Sequence, residues 1–237
     1  MTTAMTTKDR VDQVNERIAR AAARAGRATA DITVVAVGKT HPPEDFIPVI
    51  ESGIRHFGES RVQEAEEKIP EIAGENLIWH MIGHLQRNKA KNAIHIFDQL
   101  HSLDSQRLAK RLQKQLGKEQ IDRFSTFIQV NTSGEESKYG LRPEALEPVM
   151  EFIGAECSRL VVNGLMTMAP LTDNENTIRR TFARLRELRE TFDTRQYQNI
   201  NFEALSMGMT NDFEIATEEG ATHLRIGRAI FGERLAR

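Results

Sequence analysis

Cysteine is nearly missing from this 237-residue sequence, in which Cys157 stands alone. A single thiol excludes an internal disulfide and a cysteine-rich metal site, and it fits a reducing compartment. Its place in the helical pattern "ALEPVMEFIGAECSRL" favours packing over nucleophilic chemistry. Long hydrophobic runs are missing too: nowhere do about 18 apolar residues follow one another, and the opening "MTTAMTTKDR" lacks the apolar stretch of an export signal. Neither membrane insertion nor secretion is indicated, and a cytoplasmic protein is expected. Charge of one sign is lacking as well, since 32 Lys and Arg stand against 34 Asp and Glu for a formal charge of -2, with no basic tract to grip a phosphate backbone. Nucleic acid is therefore not an expected partner.

What is present is an ordinary globular composition, 39% hydrophobic and 28% charged, which can bury a full-sized core. "DRVDQVNERIARAAARAGR" repeats Val11, Val14, Ile18, Ala21 and Ala25 at three- and four-residue steps up to Gly26, the pattern of an amphipathic helix. Beyond it, short β-rich runs alternate with helical ones. The runs "ITVVAVGK", "IRHFGE", "LIWHMIG", "FDQLHSL", "FSTFIQVNT", "LVVNGLMTM", "FEALSMGMT" and "THLRIG" make eight candidate strands. Gly117 reads as the end of the helix "DSQRLAKRLQKQLG", and Thr172 with Glu175 as a capping box before Ile178, Phe182, Leu185 and Leu188. Strands and helices alternating without a low-complexity linker predict an α/β fold: a closed (β/α)8 barrel with an extra N-terminal helix, residues 1–237 forming one domain. A doubly wound open sheet is the rival. No G-x-G-x-x-G follows the first strand, however, and the turn there reads "GKTHPP".

In a barrel the chemistry sits at the C-terminal ends of the strands. The run "VVAVGKTHPPE" reads as a strand ending on Lys39, where an unpaired ammonium is costly to bury. By alternation Val35, Val37 and Lys39 share a face, which aims the amine into the barrel mouth, and a desolvated lysine becomes a nucleophile for an aldehyde. A lysine snorkelling to solvent or paired with a carboxylate is an equal alternative on position alone. "LSMGMTNDFE" sets Ser206 and Gly208 at a strand end, before Thr210 or Asn211 as a helix cap, and "LRIGRAIFG" sets Gly227 and Arg228 at the next helix start. Both turns suit an anion, and loops after strands seven and eight are the recurrent phosphate site of barrels, although either turn alone reads more simply as capping. Arg225 lies two residues before Gly227, so it points into the barrel and needs an acceptor, either a ligand or a structural carboxylate. An aldehyde-accepting lysine, a phosphate cradle and an inward cation opposite a ring nitrogen describe a pyridoxal phosphate pocket.

With the segments "VAVGKT", "FGESRVQEAEEK", "WHMIGHLQRNK", "VNTSGEESKYGL", "GLMTMAP", "LSMGMTNDFE" and "RIGRAIFGER" in order, the chain resembles the YggS/PROSC family of pyridoxal phosphate homeostasis proteins almost to its C-terminus. The resemblance implies a barrel like the N-terminal domain of alanine racemase, with pyridoxal 5'-phosphate held as an internal aldimine on Lys39. It implies phosphate contacts from Ser206, from the backbone around Gly208, and from Gly227 with its successor Arg228. It also implies a contact from Arg225 to the pyridine nitrogen, which disfavours ring protonation and weakens the cofactor as an electron sink. The expected role is intracellular vitamin B6 homeostasis with little or no turnover and no catalytic residue. Hand-over to PLP-dependent apoenzymes belongs to that expectation, as does a monomer, although exposed helix faces leave room for a weak dimer.

Two positions depart from the family pattern. Ser60 stands where relatives commonly carry Asn, so an amide contact to the cofactor becomes a shorter hydroxyl contact or is lost; Ser60 with Gln63 also reads as a capping box. Arg228 stands where relatives often carry Thr, exchanging a hydroxyl for a guanidinium that either suits phosphate or turns to solvent. His80 and His84 in "WHMIGH" invite a metal reading. Gly83 and the strand context argue against it, no third ligand is near, and no metal is expected; His80 is instead a candidate for lining the mouth.

Two other activities compete. A racemase-like enzyme on the same cofactor needs a second acid/base group opposite the lysine, and eight β/α units leave no chain for a second domain to supply it. Of Tyr139 and Tyr197, Tyr139 in the loop "SGEESKYGL" is the one that can approach the mouth. A Schiff-base aldolase would use Lys39 without a bound chromophore.

Overall fold

The computed structural model describes residues 5–136, 138–192, 194 and 196–233. The first helix, α1 (Thr7–Arg24), turns Val11, Val14, Ile18, Ala21 and Ala22 inward, and Thr6 and Asp9 close its N-terminus with a reciprocal capping box. The chain then alternates: β1 (Thr33–Val37), α2 (Phe46–Glu51), β2 (His56–Glu59), α3 (Val62–Lys68), β3 (Ile78–Met81), α4 (Ala90–Ile96), β4 (Gln99–Leu103) and α5 (Gln106–Lys118). It continues with β5 (Phe124–Gln129), α6 (Leu146–Glu156), β6 (Leu160–Met166), α7 (Glu175–Thr191), β7 (Ile200–Ser206), α8 (Phe213–Glu218), β8 (His223–Ile226) and α9 (Arg228–Phe231). Every strand pairs in parallel with the next, and β1 pairs with β8 to close an eight-stranded barrel. The predicted barrel and its leading helix are both there.

Strand alternation sorts the side chains into two cores. Ala36, Phe57, Trp79, Met81, Leu100, Ile128, Leu165, Leu205, Leu224 and Ile226 face outward and meet Phe46, Val49, Ala65, Leu112, Ile153, Phe182 and Phe213 from the helices in one apolar layer. Each fully buried Leu or Phe there contributes roughly 1.5–3 kcal/mol. The opposite parity fills the barrel, and the register sets Val35 beside both His56 and Arg225, and Gly58 beside His80. This inner core is markedly polar. None of the described helices is long and apolar enough to cross a membrane.

Several local expectations need correcting. β1 stops at Val37, two residues before Lys39. α3 starts from an extended Arg61 with no side-chain cap, so Ser60 and Gln63 form no capping box. α7 is capped by Asn174, whose side chain accepts from the Thr177 N–H at 3.2 Å, while Thr172 accepts one turn earlier, from the Asn174 N–H. Gly117 lies within α5, which runs on to Lys118. The helix expected to start at Gly227 and Arg228 runs over Arg228–Phe231, where Gly232 at φ 91° breaks it; residues 234–237 lie outside the described ones.

Candidate functional site

A cavity of about 620 Å3 opens at the C-terminal end of the barrel strands. Gly38, the residue after β1, has no room for a side chain: a Cβ there would come within 2.1 Å of the Phe46 ring. The chain passes close over that ring and turns, with the His41 N–H donating to the Gly38 carbonyl at 3.0 Å and Thr40 in the left-handed region at φ 69°. Lys39, inside this turn, is exposed and lines the cavity. The burial cost that its position in an apolar run would carry does not arise, because the buried part of the strand has already ended.

Arg225 lies at the bottom of the cavity, 3% exposed. Its Nη1 donates to Ser206 Oγ at 2.6 Å and its Nη2 to the Thr167 carbonyl at 2.8 Å. A guanidinium can only donate, so Ser206 accepts from it, and the same Oγ lies 2.7 Å from His101 Nδ1. His101 Nε2 lies 2.8 Å from His80 Nδ1, and His80 Nε2 lies 2.9 Å from His56 Nδ1. The three rings form one continuous row, and where the Ser206 hydroxyl donates to His101 the proton stands on Nε2 of each ring. Burial holds His80 and His101 well below the ordinary imidazole range, lowers His56, and takes His223 down to about 4. All four are neutral at pH 7. Burial also brings Arg225 down to about 10, against the pull of Asp212, so it stays charged.

Two loops form the wall beside Arg225. Gly227, between β8 and α9, and Arg228, the first residue of α9, line it together with Thr210 and Asn211 from the loop after β7. Arg228 Nη2 donates to Asn211 Oδ1 at 3.3 Å, and the Ala229 N–H reaches Thr210 Oγ1 at 3.5 Å. The N-cap position of α8 is Asp212, not Thr210 or Asn211, and its carboxylate accepts from the Met209 N–H at 2.6 Å.

Of the residues singled out from the sequence, Lys39, Ser60, Arg225, Gly227 and Arg228 border this one cavity. Ser206 and Gly208 do not. The Ser206 hydroxyl is fully buried between Arg225 and His101. Gly208, at φ 93°, lets the loop pack on α8 where a Cβ would lie 2.5 Å from that of Ala216. Thr210 and Asn211 occupy the wall instead, and the signal for them was their place just after that glycine.

At the mouth, Tyr139 stacks on His84 with ring centroids 4.2 Å apart, and His84 Nδ1 lies 3.1 Å from Asp104 Oδ2. His80 is buried inside the barrel, far below any rim role. Among the described residues no group of three or more His, Cys, Asp or Glu could hold a metal.

The profile of the alanine racemase N-terminal domain matches residues 10–235. A pyridoxal phosphate homeostasis protein of Aquifex aeolicus is 42% identical over 226 residues, covering 95% of this chain and 97% of that protein. The chain belongs to the family of pyridoxal phosphate homeostasis proteins. The same family likeness extends to solved structures. A protein of unknown function from Bifidobacterium adolescentis superposes with a TM-score of 0.89 at 33% identity, covering 94% of each chain. PipY of Synechococcus elongatus with PLP bound superposes with a TM-score of 0.77 at 32% identity, covering 92% of this chain and 100% of PipY. In this member of the family, the departures Ser60 and Arg228 both fall on the cavity wall.

Proposed function

We propose that this chain binds pyridoxal 5'-phosphate through Lys39 and serves intracellular vitamin B6 homeostasis, with little or no turnover of its own. One observation carries the reading: Lys39 and Arg225 open into the same cavity, whose wall is the Gly227–Arg228 turn. The donor set suits the cofactor part by part. A primary amine answers an aldehyde, and a buried, permanently charged donor answers a ring nitrogen. Arg228, the Thr210 hydroxyl and the backbone at Gly227 answer a phosphate; a Cβ on Gly227 would already crowd the Val37 carbonyl at 3.2 Å. Ser60, just after β2, adds a hydroxyl to the lining. Ser206 and Gly208 act from behind, one orienting Arg225 and the other shaping the loop that carries Thr210. PLP-bound PipY and the name of the Aquifex relative support the assignment.

Bound, the cofactor supplies an electrophilic aldehyde carbon conjugated to a pyridine ring. Lys39 would hold the cofactor at that carbon. Arg225, which keeps its proton at neutral pH, would donate to the ring nitrogen and so disfavour its protonation, which would blunt electron withdrawal. Weak electron withdrawal favours holding the vitamer over transforming it, in a monomeric cytoplasmic domain spanning residues 1–237 that passes it to PLP-dependent apoenzymes.

The visible spectrum of the purified protein, followed by borohydride reduction and peptide mapping, tests the assignment. A racemase-like reading draws on Tyr139, which borders the cavity. Interconversion of D- and L-alanine that disappears in Tyr139→Phe would establish it, and absence of interconversion supports the homeostasis reading.

A further inference from the structure

Behind the Lys39 turn lies a buried charge cluster. Lys68 of α3, 7% exposed, sets its ammonium 2.8 Å from Glu59 Oε1, 2.9 Å from Glu64 Oε1 and 3.0 Å from the Gly38 carbonyl. An ammonium has three protons, and each finds one acceptor here, so Nζ is fixed in space. Glu64 Oε1 also accepts from the Thr40 N–H at 2.6 Å. The peptide groups on both sides of Lys39 are therefore tied to α3, one by its cation and the other by its anion.

Stability alone does not account for such a cluster. A buried ion pair loses in desolvation about what it gains in attraction, and apolar replacements are often neutral or stabilising. Glu59 is fully buried, its Oε2 has no hydrogen-bond partner among the described residues, and burial, opposed by Lys68, pushes its carboxyl up to about 7. What the cluster does hold is a backbone that would not hold itself. Thr40 is β-branched and sits at φ 69°, a conformation that persists only where the surroundings impose it.

We propose that Lys68 is a positioning residue for Lys39: with Glu59 and Glu64 it locks the turn at 38–40 so that the Lys39 amine is presented to the cavity. Lys68 acquires this role from the reading of Lys39 as the cofactor-binding amine. Lys68→Met keeps the stem and removes the ammonium. Glu64→Ala removes the acceptor of the Thr40 N–H, whereas Glu64→Gln retains a carbonyl for it.

Rapid mixing of ligand-free protein with pyridoxal phosphate, followed by visible absorbance, reads the effect on capture. Lys68→Met and Glu64→Ala should capture the vitamer about ten- to hundredfold less effectively, with Glu64→Gln between Glu64→Ala and wild type. Leu112→Ala, a cavity-forming change in α5 beyond β4, should lower thermal stability and leave capture at the wild-type value. Amide hydrogen exchange of the ligand-free protein supplies a second readout, in which the Thr40 N–H should exchange faster in Lys68→Met and Glu64→Ala. Wild-type capture and wild-type exchange in Lys68→Met overturn the proposal, and Glu64→Ala decides in its place if Lys68→Met does not fold. Should the wild-type protein itself capture no vitamer, the cofactor reading falls, and exchange at Thr40 alone decides whether Lys68 holds the turn.

Discussion

Arg225 Nη1 lies 2.6 Å from Ser206 Oγ, and that bond joins the bottom of the cavity to the row formed by His101, His80 and His56. Arginine cannot accept, so Ser206 is the acceptor in that bond. Ser206→Ala would strand an Arg225 proton and His101 Nδ1 in a dry interior. A loss of about 1–3 kcal/mol of folding stability is expected in denaturant titrations, together with weaker retention of the cofactor.

The same row, with His223 packed beside His80 and His101, gives stability a pH dependence of definite sign. Burial takes His223 from the ordinary 6.5 to about 4 and holds His80, His101 and His56 below their ordinary value. Between those limits the unfolded chain takes up protons that the folded barrel refuses, so acid favours unfolding. The contribution of these groups is complete above about pH 6.5 and is lost as the pH falls toward 4. Glu59, raised from 4.5 to about 7, and Asp212, also raised by burial, act oppositely, since the folded state keeps their protons longer. Four histidines outnumber two carboxylates. Thermal scans should therefore show Tm falling between pH 6.5 and 4, more steeply in Glu59→Gln, which removes one opposing group; a flat profile contradicts the neutral histidine row.

Arg228 at the cavity wall makes a prediction that separates the two ends of the vitamer. If its guanidinium serves the phosphate, Arg228→Ala should weaken binding of pyridoxal phosphate about tenfold or more and leave pyridoxal, which has no phosphate, unaffected. Parallel absorbance titrations with the two compounds check this. Equal losses for both would assign Arg228 to the fold instead.

Gly38 admits no side chain because the Phe46 ring is itself wedged against Phe57, Trp79 and Phe231, with centroids 5.4, 5.8 and 5.2 Å away. Gly38→Ala should cost about 1–3 kcal/mol through overpacking and displace the adjoining Lys39 turn. Phe46→Leu in the same chain should recover part of the loss, as measured by thermal unfolding.

The barrel is legible in the sequence because period-two runs and 3.6-period runs alternate along its length, and each strand ends near a glycine or a polar turn. Lys39 and Arg225 were reachable by counting parity from the strand ends, and Gly227 and Arg228 from their place at the next helix start. The same counting misled at Ser206. It shares the inner face with Arg225 but stops short of the loop, so the wall belongs to Thr210. The histidines were out of reach, since a single His in a strand carries no local sign of its partner, and register alone brings four strands' worth to one level. Glu59 and Lys68 were hidden for a similar reason: one ends a strand, the other ends a helix, and a charge in "EAEEK" reads as solvated until the helix is packed against β2.

The most direct measurement is borohydride reduction of the protein after incubation with pyridoxal phosphate, followed by peptide mapping of wild type and Lys39→Ala. The pyridoxyl label should fall on the peptide containing Lys39 and vanish in Lys39→Ala, with circular dichroism unchanged. A label retained in Lys39→Ala, or carried in wild type by Lys138, which borders the same cavity, would contradict the assignment of Lys39.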